Sequence, residues 1–209
     1  MMGDFERSDE RDTAILAVLP LVPTLGWTLA ALRRALREGG GDARDADLLF
    51  PGGTAEMVEA FIDLADRRMA AAGAAADLSA LRVPARVRAL IALRLHDLRP
   101  HREAVRRAAA FLALPGNARL AARCTARTVD AIWHAAGDRS ADFSWYTKRA
   151  ILAVVYGTTL LFWLRDAGED DAATLAFLDR RLAGVGRVTR LRRRIEARCA
   201  RAAPSAEAA

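Results

Sequence analysis

Proline and glycine cut this chain into helix-length pieces. "PLVP" at 20–23, "GGG" at 39–41 and "PGG" at 51–53 are the sharpest breaks, and Pro84, Pro100, Pro115, Gly137 and Gly168 continue the punctuation. Between the breaks Ala, Leu and Arg dominate, and alternating β-branched or aromatic runs are nearly missing. Residues of that kind separated by such breakers make helices and little else. Met57, Val58, Phe61, Ile62, Leu64 and Ala65 show the helical spacing directly. The chain is therefore expected to be all-α, with about nine or ten helices. Their expected spans are 11–19, 28–38 with Thr28 as N-cap, 42–50, 54–72, 84–98, 101–114, 117–135, 140–165, 170–182 and 184–201.

The first helices are short and tightly broken, which outlines a helix-turn-helix-like triplet. The later ones are longer and more apolar, as in a bundle core. The expected organisation is a disordered N-terminus at 1–10 and an N-terminal helical unit at 11–72. A ligand-binding and dimerisation body at 73–183 and a basic amphipathic tail helix with a frayed end at 184–209 follow. A small triplet ahead of a larger helical body resembles the layout of TetR-type regulators. Layout alone carries no function.

Composition narrows the classes. At 209 residues and 53% hydrophobic the chain can bury a sizeable core. A net charge of +6 makes an anionic partner plausible, whether nucleic acid, membrane surface or acidic protein. Lys148 is the only lysine, and so much Ala and Arg suggests coding bias, which weakens the charge argument. Cys124 and Cys199 lie far apart, a pattern that excludes a disulfide framework or zinc finger. "MMGDFERSDERD" is acidic and is expected to be neither a signal nor a transit peptide. The longest nearly uncharged run, 150–164, has 15 residues. A membrane span needs roughly 20, so a buried helix is expected there.

Catalytic signatures are scarce. His96, His101 and His134 have no metal-ligand spacing, and no nucleophile elbow, Walker loop or dinucleotide fingerprint occurs. "GEDDA" at 168–172 reads as acids at a helix N-terminus. The expectation is a non-enzymatic protein without a metal or cofactor. DNA reading is also disfavoured. The candidate recognition helix "DARDADLLF" holds three Asp against one Arg, and carboxylates repel phosphates.

One stretch is chemically dense: "AGDRSADFSWYTKRA", 136–150. Ser140 or Asp142 is the expected N-cap. At about 100° per residue, Asp142, Trp145, Tyr146 and Arg149 fall on one stripe, which Ala153 and Tyr156 extend. Trp, Tyr and Arg are the residues most enriched at binding hot spots. The pattern fits a charge-bracketed docking patch, and equally a pair of aromatic core anchors. Past Arg149 the helix is apolar on all sides and is expected to be buried.

The block "VDAIWHAAGDRSADFSWYTKRAILAVVYGTTLLFW" resembles the signature of the ubiquinone-biosynthesis accessory proteins known as the Coq-nine family. "VPTLGWTLAAL", "LLFPGGTAEMVEAFIDLADRRM", "LRPHREAVRRAAAFLALPGN" and "TLAFLDRRLAGV" resemble members of the same family, in the same order. The resemblance covers about residues 11–186, and the N-terminus suits an alphaproteobacterial member. It implies a TetR-like, non-enzymatic homodimer that binds an isoprenoid or other lipid. It also implies support for the demethoxyubiquinone hydroxylase, with Asp142, Trp145, Tyr146 and Arg149 as the docking patch. Trp133, Val154 and Phe162 are candidate pocket residues, chosen from apolar faces. A cytoplasmic protein, peripheral at the inner membrane, is expected, with a bound lipid or isoprenoid quinone and no nucleic acid.

The tail departs from the family pattern, whose membrane helix is strongly apolar on one face. "GVGRVTRLRRRIEARCA" offers only Val185, Val188, Leu191, Ile195 and Cys199 as an apolar strip, against seven Arg from Arg187 to Arg201. Arg187, Val188, Arg190, Leu191, Arg194 and Ile195 are the expected membrane contacts. Adsorption should then be mainly electrostatic and shallow. The alternative function is a TetR-type transcription regulator that senses a lipid or small apolar ligand.

Overall fold

The structure is a computed structural model that describes residues 7–138, 144–168 and 170–184, without the side chains of Ser144 and Trp145. Among the described residues every regular element is helical. The helices are α1 (Asp9–Val18), α2 (Val22–Leu25), α3 (Leu29–Glu38), α4 (Asp45–Leu49), α5 (Thr54–Ala75), α6 (Val83–Leu98), α7 (Arg102–Leu112), α8 (Ala118–Ala135) and α9 (Ser144–Trp163). A further helix, α10, occupies 172–184. The expected tail helix at 184–201, with Arg187, Val188, Arg190, Leu191, Arg194 and Ile195, lies outside the described residues beyond its first position.

Local chemistry sets the helix starts. Ser8 Oγ accepts from the Arg11 amide at 3.2 Å, so α1 begins at Asp9 and not at Arg11. Thr28 caps α3 by accepting from the Ala31 amide at 3.1 Å. Gly53 precedes α5 at φ +62°, a left-handed turn that a glycine adopts without strain. Glu56 reaches back to the Gly52 amide at 2.8 Å, which satisfies a donor that the helix leaves open. "PLVP" does not end the first helical segment. It continues as a 3₁₀ turn, Leu19–Leu21, and then α2, because each proline sits at the start of its turn, where no N–H is required.

Helix α5 is the hub, packed against α1, α6 and α8. Gly73 gives α6 its close approach: a Cβ there would stand 2.4 Å from Leu90 Cδ2. The N-terminal triplet shares the main core. Trp27 is buried against Phe61 of α5, with ring centroids 5.0 Å apart, and its Nε1 donates to the Ala104 carbonyl on α7 at 3.0 Å. Buried apolar residues form one cluster from Ala14 to Leu178.

Helix α9 ends in a polar corner. Trp163 is fully buried, and its Nε1 donates to Asp171 Oδ1 at 3.0 Å. Arg102 lies over its ring at 4.6 Å and pairs with the same carboxylate at 3.2 Å. Arg88 on α6 holds Asp179 of α10 at 2.6 Å. The expectation that α9 is buried on all sides past Arg149 is corrected: Val154 is 66% and Leu161 57% exposed. The helix packs one side on α6 and α8, and the described residues leave its opposite side uncovered.

Candidate ligand cavity and docking face

The sequence of α5 places four acids, Glu56, Glu59, Asp63 and Asp66, at helical spacing beside its core face. Burying them without partners would be prohibitive. Arginines from distant segments meet each one. Arg11 pairs with Glu56 at 2.5 Å, Arg123 and Arg127 with Glu59 at 2.6 Å each, and Arg7 with Asp63 at 2.6 Å. Burial pushes the Asp63 carboxyl up, but hydrogen bonds from Arg7 and Arg67 outweigh that and hold it below the usual carboxylate range.

Asp66 and Arg94 are the deepest pair. Arg94 Nε donates to Asp66 Oδ1 at 2.8 Å, and Thr128 Oγ1 donates to Oδ2 at 2.8 Å. Both carboxyl oxygens accept; burial raises the Asp66 carboxyl above the usual carboxylate range, and Arg94 and Thr128 oppose that shift. The Arg94 guanidinium also lies 5.4 Å from the centre of the Tyr156 ring. Burial raises the Tyr156 hydroxyl above its ordinary pKa and pushes the nearby Cys124 thiol up to about 11, so both stay neutral.

Part of this polar group lines a cavity of about 90 Å³. Phe61 and Ile62 of α5, Leu98 of α6, Val105 and Leu112 of α7 and Leu160 of α9 supply its apolar wall, and Arg94, Cys124, Thr128 and Tyr156 also face it. An open groove of about 460 Å³ runs between α8 and α9, lined by Ala121, Ala122, Ala126 and Val129 opposite Ala150 and Ala153. Thr125 lines both spaces, so groove and cavity adjoin there. Asp130 and Arg149 also line the groove and pair with each other.

The expected docking stripe is divided by this geometry. Tyr146 is 73% exposed on α9. Arg149 turns toward α8 and Asp130. Asp142 lies outside the described residues, and Trp145 has a helical backbone with its side chain outside them. Tyr156, on the same wheel stripe, is buried at the cavity. Ideal helix geometry gathers these residues, but the stripe straddles the edge between the α8-facing and open sides of α9.

None of Trp133, Val154 and Phe162 lines the cavity. Val154 is on the open side of α9. Phe162 stacks on Phe177 of α10, with centroids 4.6 Å apart. Trp133 packs half-buried against the core, and its indole N–H has no acceptor among the described residues. Sequence reading did not single out Arg94 or Thr128, and it placed Tyr156 only as an extension of the docking stripe. The available signal was the row of acids on the core side of α5, which requires buried cationic partners.

Comparison with known proteins follows the same segments. The COQ9 family model matches residues 118–189, from α8 onward. The mitochondrial ubiquinone biosynthesis protein COQ9 of Homo sapiens is 30% identical over 187 residues, which is 86% of this chain and 58% of that protein. That of Rattus norvegicus is 32% identical, over 86% of this chain and 60% of its own length. The Schizosaccharomyces pombe protein is 32% identical, over 77% and 64%. The chain thus spans about three fifths of the length of these curated relatives. Among solved structures, a TetR transcriptional regulator from Nitrosomonas europaea superposes with a TM-score of 0.68 at 24% identity, covering 84% of this chain and 97% of that one. The fold is therefore TetR-like and all-helical.

Proposed function

This chain belongs to the COQ9 family, and from that premise we propose that it serves ubiquinone biosynthesis as a non-enzymatic lipid-binding adaptor. It takes a polyprenyl quinone intermediate from the membrane and presents it to the demethoxyubiquinone hydroxylase. The observation that carries this reading is the largely apolar cavity, with Arg94, Thr128 and Tyr156 in its wall, adjoining a groove near whose Asp130–Arg149 pair Tyr146 stands exposed. A ligand with a small polar head and an apolar tail matches that sequence of surfaces. Tyr146 and Arg149, with Asp142 and Trp145 beside them in the chain, form the docking face.

At about 90 Å³ the cavity is smaller than the roughly 150 Å³ space that takes a benzene ring. A polyprenyl chain therefore lies in the groove or enters as α7 and α9 part. No helix among the described residues is long and apolar enough to cross a membrane. We assign membrane attachment to the basic segment from Arg187 to Ile195, which makes the protein cytoplasmic and peripheral at the inner membrane. The exposed Val154 and Leu161 supply an apolar face for a homodimer.

The test is mass spectrometry of lipids that co-purify with the full chain under non-denaturing conditions. An isoprenoid quinone or its precursor is the expected species. A preparation free of isoprenoid and phospholipid alike would remove the basis of the reading.

A further inference from the structure

We propose that Arg86 of α6 is a positioning residue for the docking face: it fixes the C-terminal end of α8 and, through Asp138 and Lys148, the place of Tyr146. This rests on the reading of Tyr146 and Arg149 as the surface that meets the hydroxylase, and adds what holds that surface in place.

Burial does little to fix the start of α9. Tyr146, Thr147 and Ala150 are exposed, and the first buried side chain among the described ones is Leu152. Polar ties to the end of α8 are present instead. Lys148 Nζ stands 3.7 Å from Asp138 Oδ1, and Arg149 pairs with Asp130. Asp138 in turn sits where the end of α8 puts it. The Gly137 amide donates to the His134 carbonyl at 2.9 Å and the Asp138 amide to the Trp133 carbonyl at 3.1 Å. These are the two bonds that close a helix on a left-handed residue. Gly137 supplies that residue, at φ +76°.

Arg86 ties this helix end to α6. Its Nη1 donates to the Ala136 carbonyl at 3.2 Å, Nε to the Leu81 carbonyl at 2.8 Å and Nη2 to the Ser79 carbonyl at 2.7 Å. All three guanidinium nitrogens thus go to main chain, and no carboxylate among the described residues pairs with them. A cation at a helix C-terminus also meets the negative end of the helix dipole. The approach is close: a Cβ on Gly137 would stand 3.1 Å from Arg86 Nη1. Ala136 is fully buried, and a buried carbonyl without a donor is costly. Without Arg86 that carbonyl turns to water, the last turn of α8 loses its tie to α6, and Asp138 shifts with it.

The experiment measures the affinity of the purified full chain for the purified demethoxyubiquinone hydroxylase. The proteins are the parent, Arg86→Gln, Tyr146→Ala and the double variant. Amide hydrogen exchange on the same proteins compares residues 144–150 with α1 and α5. Tyr146→Ala should bind about thirty-fold more weakly and Arg86→Gln about ten-fold. A residue that acts through Tyr146 has little left to do once Tyr146 is gone. The double variant should therefore bind within about two-fold of Tyr146→Ala. Exchange in Arg86→Gln should quicken at 144–150 and stay unaltered in α1 and α5. Unaltered affinity of Arg86→Gln beside a weakened Tyr146→Ala overturns the proposal and leaves the docking face intact. A double variant whose losses multiply does the same, because Arg86 then acts apart from Tyr146. Exchange that quickens throughout the chain makes the loss one of general stability and also overturns it. Full affinity of Tyr146→Ala removes the docking reading itself, and the proposal with it. Asp138→Asn keeps Arg86 and removes the charge opposite Lys148, so it should weaken binding about three-fold. Should Arg86→Gln not fold, unaltered binding by Asp138→Asn overturns the proposal.

Discussion

Arg149 on α9 pairs with Asp130 on α8, across the groove. This acid comes from nineteen residues earlier in the chain. Tyr146, three positions before Arg149, is left projecting from the open side of α9.

That arrangement separates docking from stability. The Asp130–Arg149 pair is partly exposed, so Asp130→Asn should change stability by less than about 1 kcal/mol. Tyr146→Ala, at an exposed position, should stay within about 0.5 kcal/mol of the parent. The same Tyr146→Ala protein should capture the hydroxylase about thirty-fold more weakly, as expected for loss of a hot spot of about 2 kcal/mol. Chemical denaturation and a pull-down on the same preparations read both. Unaltered capture with an intact helical spectrum would show that the docking face lies elsewhere.

Asp63 should carry part of the acid sensitivity. Burial raises its carboxyl, Arg7 and Arg67 lower it more, and the folded value lies below the unfolded one of about 3.9. Its contribution is therefore complete above the unfolded value and is lost as pH falls through the folded value. Asp63→Asn should be less stable than the parent at pH 7 and show a shallower loss of stability below about pH 4. Urea midpoints between pH 3 and 7 measure the slope.

The Asp66–Arg94 pair should be costly to break and cheaper to remove. Asp66→Ala leaves a buried guanidinium without its counter-charge, and about 3–5 kcal/mol should be lost. Asp66→Ala combined with Arg94→Met should recover part of that, because no unpaired charge remains. Denaturant midpoints of parent, single and double variants decide it. A double variant less stable than Asp66→Ala alone would mean that Arg94 stabilises the fold even without its counter-charge.

These pairs also mark the limit of what the sequence made legible. Helix starts at Asp9, Leu29 and Thr54 were readable to within a few residues because Ser8, Thr28 and the glycines at 52 and 53 act on neighbours only a turn away. The all-helical, TetR-like plan followed from the same local signals. Arg67 lies four positions from Asp63 on the same helix, but Arg94, Arg123 and Arg127, which hold Asp66 and Glu59, lie between 28 and 68 positions away, and no local spacing announces them. Tyr156 shows a second limit. Its place on a helical wheel matched that of Tyr146, yet it is buried where the other projects, because neighbouring helices cover different lengths of α9.

The DNA-reading alternative makes its own demand. Helix α4 has only five residues, Asp45–Leu49, with Asp47 held by Arg33 at 2.7 Å and Leu48 79% exposed. A recognition helix needs donors aimed at base edges, and carboxylates in that position oppose the phosphates. Binding to duplex DNA should be weak, indifferent to sequence and abolished by moderate salt. Anisotropy titrations against a random duplex library at two salt concentrations test this. Recovery of one enriched sequence with salt-resistant affinity would establish the regulator reading.

Gly73 should resist replacement in spite of helix propensity. Alanine in a helix interior is favoured over glycine by about 1 kcal/mol. Its Cβ would stand 2.4 Å from Leu90 Cδ2, inside contact distance, and Leu90 is fully buried with little room to retreat. Overpacking of that kind costs about 1–3 kcal/mol, so Gly73→Ala should be net destabilising by up to about 2 kcal/mol. Leu90→Val removes the obstructing carbon. In that background the same Gly73→Ala change should turn neutral or stabilising, since only the propensity gain remains. Thermal denaturation of the four proteins in this cycle gives the coupling. Additive effects would place the intolerance of Gly73 in something other than its approach to Leu90.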